Sequence, residues 1–188
     1  DNIAYVIKRG GDAIGTMKIG FERNGKRLTA TSNYTIRVKL LSIVLYRYEK
    51  HMVETYEDGR LVAFKTAIDD DGEKSQVSII RTDDDLIITN QKGNLSAPLG
   101  TFPSTYWPPE TPSLTQLIDS SDGTLLSVKT SGASTESLAI DGSIIKSKRY
   151  EMSGDLKRTL WYSAETGEWL KLKMTASDNS TIEIERDW

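Results

Sequence analysis

Apolar and polar residues alternate along most of this 188-residue chain, and glycine turns interrupt the alternation at short intervals. Met17, Ile19 and Phe21 alternate with Lys18, Gly20 and Glu22. Leu28, Ala30, Tyr34, Ile36 and Val38 share one parity, and Thr29, Thr31, Asn33, Thr35, Arg37 and Lys39 the other. Leu170, Leu172, Met174 and Ala176 repeat the pattern, as do Ile182 and Ile184 against Glu183 and Glu185. A period of two puts one set on each face of a strand. The punctuation includes Asn24-Gly25, Asp58-Gly59, Asp71-Gly72, Lys92-Gly93, Asp122-Gly123, Asp141-Gly142 and Thr166-Gly167. Asn-Gly and Asp-Gly supply the positive φ angles that two-residue hairpins need. This rhythm predicts an all-β fold, an antiparallel meander of about ten or more strands. A sheet that long curls, so a barrel or half-barrel is expected. Residues 1–188 read as one domain.

Composition removes several kinds of chemistry. There is no Cys and a single His, His51. That excludes a disulfide framework, a thiolate nucleophile, Cys-based metal sites and any site needing two imidazoles. Lys and Arg number 24 against 27 Asp and Glu, without a basic run. Such a chain is a poor binder of nucleic acid or anionic membranes. The longest apolar stretch, Leu40-Leu41-Ser42-Ile43-Val44-Leu45, is far short of a membrane-spanning helix and fits a buried strand or crossover. Asp69-Asp70-Asp71-Gly72-Glu73 and Asp83-Asp84-Asp85 lack the ligand spacing of a calcium loop and read as hairpin turns. No Gly-x-Ser-x-Gly elbow is present, and nothing in the sequence places a partner beside His51. We therefore expect no enzyme, no cofactor and no metal. The chain opens at Asp1 inside a strand pattern, so a leader peptide is expected to have been removed.

All five prolines, Pro98, Pro103, Pro108, Pro109 and Pro112, fall in one stretch. Proline cannot donate to a ladder, so about 91–112 reads as a Pro-rich aromatic loop rather than a central strand. Phe102, Tyr106 and Trp107 are large groups that must pack. The loop reads either as a lid over an open sheet or as a plug that completes the core. Ser113-Leu114-Thr115-Gln116 has the form of a capping box and predicts one short helix over 113–119.

The strand Tyr46–Tyr56 is unusual. Its even positions carry Tyr46, Tyr48, Met52, Glu54 and Tyr56, and its odd positions Arg47, Glu49 and His51. Neither face is an aliphatic stripe. One reading is a pocket lined by aromatic rings and a few polar groups. The other is cross-strand aromatic pairing with a solvated Arg-Glu pair. Trp161, Tyr162 and Trp169 flank the turn Ser163-Ala164-Glu165-Thr166-Gly167 and fit cross-strand pairing.

Several of these segments resemble a family of uncharacterised exported bacterial proteins known only as a domain of unknown function. They are Leu45-Tyr46-Arg47-Tyr48 with Glu54-Thr55-Tyr56-Glu57-Asp58-Gly59-Arg60-Leu61, Ser104-Thr105-Tyr106-Trp107, and Tyr150-Glu151-Met152-Ser153-Gly154-Asp155-Leu156 with Leu160-Trp161-Tyr162. Gly167-Glu168-Trp169-Leu170-Lys171-Leu172 also fits, while Tyr56 stands where a Trp is more usual. The resemblance implies a periplasmic location and no assigned reaction. In architecture alone the chain is similar to curved-sheet proteins of the lipoprotein-carrier type.

The expected function is a periplasmic binding protein for an apolar or amphipathic, lipid-like ligand. Tyr46, Tyr48, Met52, Tyr56, Phe102, Tyr106 and Trp107 would line or cover its cavity. Arg47 or His51 would meet a polar head group if twist or a bulge turned their face inward. The alternative is a non-enzymatic envelope module whose aromatic loop docks a protein partner.

Overall fold

The computed structural model describes residues 2–40 and 43–188. The first half forms β1 (Asn2–Arg9), β2 (Asp12–Asn24), β3 (Arg27–Leu40), β4 (Ile43–Glu57), β5 (Arg60–Asp70), β6 (Glu73–Arg81), β7 (Asp85–Asn90) and β8 (Gly93–Pro98). A tiny strand, β9 (Phe102–Pro103), and β10 (Gln116–Ile118) bracket the proline segment. The rest is β11 (Leu125–Thr130), β12 (Ser134–Ile140), β13 (Ser143–Gly154), β14 (Arg158–Ser163), β15 (Trp169–Thr175) and β16 (Thr181–Asp187). Leu41 and Ser42, at the centre of the apolar stretch, lie outside the described residues. Leu40 ends β3 and Ile43 begins β4, while Val44 and Leu45 are exposed.

The sixteen strands form one sheet, ordered β8-β7-β6-β5-β4-β3-β2-β1-β16-β15-β14-β13-β11-β10-β9, with β12 also on β13. Pairing is antiparallel except between β9 and β10. Two meanders thus meet at a seam where β1 pairs β16. The sheet's two ends, β8 and β9, are consecutive in the chain. Leu99, Gly100 and Thr101 alone separate them, so covalent reach holds the ends within about 14 Å. No ladder joins them: the sheet curls back on itself and stays open. Pro98 sits at the end of β8, an edge strand, where its missing N–H costs no ladder bond. The loop expected over about 91–112 therefore begins later, because 93–98 pairs with β7.

The proline segment runs through the concave side. Tyr106 and Leu117 belong to a core cluster with Tyr5, Ile7, Met17, Leu160 and Leu172. Ile118 belongs to a second cluster with Met52, Tyr56, Phe64, Ile79 and Ile88, against which Phe102 packs. The helix expected over 113–119 does not form. A single 3-10 turn, Thr111–Ser113, stands there, followed by extended Leu114 and then β10. Ser113 Oγ donates to the Glu110 carbonyl at 2.7 Å instead of capping a helix. The cause is packing on both sides: Leu117 and Ile118 are both fully buried, one in each cluster. Adjacent residues point to opposite faces in a strand but not in a helix. A seven-residue helix is also too short to sustain itself.

One cross-strand row shows how the concave face is built. Leu160, Leu172, Ile184, Ile7, Gly15, Ile36 and Tyr48 are register partners from β14 through β15, β16, β1, β2 and β3 to β4. Gly15 has a specific reason. A Cβ there would lie 2.2 Å from the Thr35 carbonyl oxygen and 2.9 Å from Ile36 Cα, both backbone atoms. Neither can swing aside, so β2 and β3 approach closely only over glycine. On the outer face, Trp161 and Leu170 are covered by Ile140, so β14 and β15 are buried on both sides. Tyr162 pairs with Trp169 across the hairpin. Gly15→Ala should lower the unfolding free energy by about 1–3 kcal/mol, as overpacking does. Urea unfolding measures it, and an unchanged midpoint would contradict the close approach.

Candidate functional site

β4 runs from the mouth of the curled sheet into its interior, and its even positions face the concave side. Those positions include a lysine and a glutamate. Glu54 has no exposed surface and Lys50 is 8% exposed. Four residues of strand separate them by about 13 Å, so they form no ion pair. Each needs its own partners, because an unsatisfied buried charge is costly.

Glu54 finds three donors. Trp107 Nε1–H donates to Oε1 at 2.7 Å. The Tyr56 hydroxyl donates to Oε2 at 2.6 Å and the Thr105 hydroxyl at 3.2 Å. Two of these donors belong to the proline segment, so this carboxylate ties the segment to the sheet. Burial pushes its pKa up to about 7, with the three hydrogen bonds and the Lys50 charge pulling the other way. Around the tie, Tyr56 meets Phe102 and Trp107 edge-on at ring separations of 5.8 and 5.6 Å. Tyr106 adopts φ 64, a left-handed conformation that costs a bulky residue about 1–3 kcal/mol. The Tyr162 hydroxyl donates to the Tyr106 carbonyl at 2.7 Å and holds the turn. The result is that Tyr106 and Trp107 serve different compartments.

Tyr106 lines a cavity of about 270 Å³ at the mouth where the β1–β2 and β15–β16 turns lie. One wall is hydrocarbon: Ile7, Ile36, Leu172, Met174, Ile182 and Ile184. Polar groups also line the cavity: Lys50, Ser104, Asp119, Ser120, Ser121 and Arg158, with the phenols of Tyr46 and Tyr48. Lys50 Nζ donates to Ser120 Oγ at 2.7 Å and Ser121 Oγ at 2.9 Å. Ser120 N–H donates to Ser104 Oγ at 3.1 Å, and Ser121 N–H to Asp119 Oδ1 at 2.7 Å. Burial pushes the Lys50 pKa down to about 8, opposed by the Asp119 and Glu54 charges. Trp107 faces the other way, into a wider recess of about 610 Å³ with Phe21, Leu28 and Trp169. There the rings pack on one another, as Phe21 does edge-on against Trp107 at 5.0 Å, and Arg23, Thr166 and Glu168 also line the recess.

The nine residues singled out from sequence divide three ways. Tyr46, Tyr48 and Tyr106 line the 270 Å³ cavity. Met52, Tyr56, Phe102 and Trp107 pack in or against the core clusters behind the partition. Arg47 and His51 are exposed on the outer face, and neither twist nor bulge turns them inward. Arg47 pairs with Asp69 at 3.3 Å, and His51 Nδ1 lies 2.7 Å from Asn33 Oδ1. Sequence reasoning missed Lys50, although period two places it between Tyr48 and Met52. It also missed Arg158 and the serines, which carry no motif. Among the described residues no group of three or more His, Asp or Glu side chains is placed to hold a metal, and no helix is long and apolar enough to cross a membrane.

The two buried charges give opposite pH dependences. Glu54 has its folded pKa raised from 4.5 to about 7. Its contribution to stability is present below pH 4.5 and is lost as pH rises through 7, an amplitude of about 3 kcal/mol. Lys50 has its folded pKa lowered from 10.5 to about 8. Its contribution is present above pH 10.5 and lost as pH falls through 8. Glu54→Gln keeps the shape and removes the titration. Its unfolding free energy relative to the native chain should rise by about 3 kcal/mol between pH 4.5 and pH 8. Urea unfolding at several pH values is the measurement, and a constant difference would refute the assignment. Glu54→Ala leaves three donors unpaired and should cost at least about 2 kcal/mol at every pH.

The geometry agrees with what the chain is similar to. Over 99% of its length it matches the crystal structure of a β-barrel-like protein of the domain of unknown function DUF1849 from Brucella abortus. The TM-score is 0.67, the identity 12%, and 95% of that chain is covered, a likeness of fold alone. No curated protein matches. The family model for a domain of unknown function, DUF6134, matches residues 5–187. This all-β chain therefore belongs to the DUF6134 family.

Proposed function

We propose that this protein binds, and does not transform, an apolar or amphipathic, lipid-like small molecule, and that it does so in the periplasm. The observation that carries the reading is the 270 Å³ cavity between the curled sheet and the proline segment. Its chemistry is that of a ligand site, with an apolar wall and a few convergent polar groups. The volume is at the small end for such sites, which favours a ligand with one chain over one with several. The periplasmic part rests on the resemblance to exported proteins. The aromatic segment turns its rings inward, toward Glu54 and the two compartments, so it offers a partner protein little ring surface. That favours binding of a small molecule over the docking alternative.

Titration calorimetry with 1-octanol, a neutral single chain of the size the cavity admits, tests the reading, together with native mass spectrometry of gently purified protein. Saturable binding at one site is expected. Met174→Trp, which fills the cavity from a half-buried position, should weaken octanol binding at least tenfold without moving the urea midpoint. No saturable octanol binding and no retained lipid in any preparation would overturn the proposal.

A further inference from the structure

The lining of the cavity is unequal in charge. Lys50 and Arg158 bring two positive charges, and Asp119 brings one negative charge. The lining is therefore left with one uncompensated positive charge. Glu54 lies deeper, with both oxygens occupied by donors from Tyr56, Thr105 and Trp107. Asp70, beside the Tyr46 phenol, is exposed to solvent. Neither Lys50 nor Arg158 joins an ion pair among the described residues. Lys50 spends two of its three N–H donors on Ser120 and Ser121, which leaves one. Arg158 donates to the Tyr106 phenol and, through Nη1, to the Lys157 carbonyl at 2.8 Å, but buries its Nε without a protein acceptor. One donor on each cation is thus left over, and a carboxylate is the group that satisfies such charged donors best.

Size sets the rest of the ligand. At about 30 Å³ for a water-sized group, the cavity holds about nine such groups. A carboxylate head uses three of them and a phosphate monoester five. A monoanion also matches a single surplus charge better than a dianion does. Resting on the binding function proposed above, we infer that the ligand is a single-chain carboxylate of about seven or eight carbons. Its head meets Lys50, Arg158 and the hydroxyls of Ser120 and Ser121. Its chain lies on Ile7, Ile184 and Leu172.

Titration calorimetry with octanoate, 1-octanol and octylammonium at pH 7 separates head-group recognition from chain burial. Octanoate should bind at least tenfold tighter than octanol, and octylammonium weaker than either. Lys50→Met should cost octanoate at least tenfold and leave octanol within about twofold. Arg158→Gln, at a half-buried rim position, repeats the test should Lys50→Met fold poorly. Equal affinity for octanoate and octanol in the native protein overturns the inference but leaves the binding function standing. An equal loss for both ligands in the variants also overturns it, since that marks a structural role. Octyl phosphate binding tighter than octanoate overturns the carboxylate assignment. If none of the chains binds, both proposals fall.

Discussion

A carboxylate sealed inside the curled sheet governs the interior of this molecule. Glu54 cannot hold its charge there alone, because nothing on β4 neutralises it by contact. It accepts from one neighbour on its own strand and from two residues of the proline segment. The same bonds that satisfy the charge fasten the one irregular part of the chain. Without them, Thr105 and Trp107 would be buried donors lacking an acceptor, and the segment would lose its reason to cross the interior. The strained turn at Tyr106, the inward rings and the two clusters of the core all follow from that tie.

The tie also decides what kind of space remains. The segment is both plug and wall. On the β4–β8 side its rings and Ile118 complete a filled core. On the seam side it stops short of the sheet and leaves a small cavity with unequal walls. The distinction between a lid and a plug, which looks like a choice from the sequence, is a matter of which side of the segment is viewed. Tyr106 and Trp107 are adjacent residues with separate tasks, and the left-handed backbone at Tyr106 is what separates them.

Much of the architecture is legible in the alternation. The faces of β2 and β3 follow from period two, and the Asn-Gly and Asp-Gly turns fall between strands; in β15 a bulge breaks the period and sends Leu170 to the outer face, away from Leu172. Local pattern was less reliable where packing on two sides decided the outcome. Ser113-Leu114-Thr115-Gln116 has the letters of a helix start, yet Leu117 and Ile118 are each claimed by a different core and only a strand can serve both. At the site, the aromatic half was readable because tyrosine and tryptophan in a strand stand out. The charged half was not. Lys50 looks like a surface residue until its parity is counted, and Arg158 reaches the cavity only because β14 pairs into the second meander. Arg47 and His51 attracted attention by chemistry alone, and their odd positions place them outside.

The seam between β1 and β16 has a consequence in time. Lys8 and Glu185, joined across it, are 177 residues apart in sequence. Within the first meander each strand pairs with its neighbour in sequence, so β1 to β8 are able to assemble while later residues are still being made. Until β16 arrives, β1 is an open edge with half an apolar face beneath it, a state prone to pair with other chains. Ile182 and Ile184 also supply part of the cavity wall. A chain still lacking β16 thus also lacks part of the cavity wall, and the pairing that covers the open edge is the one that completes the cavity.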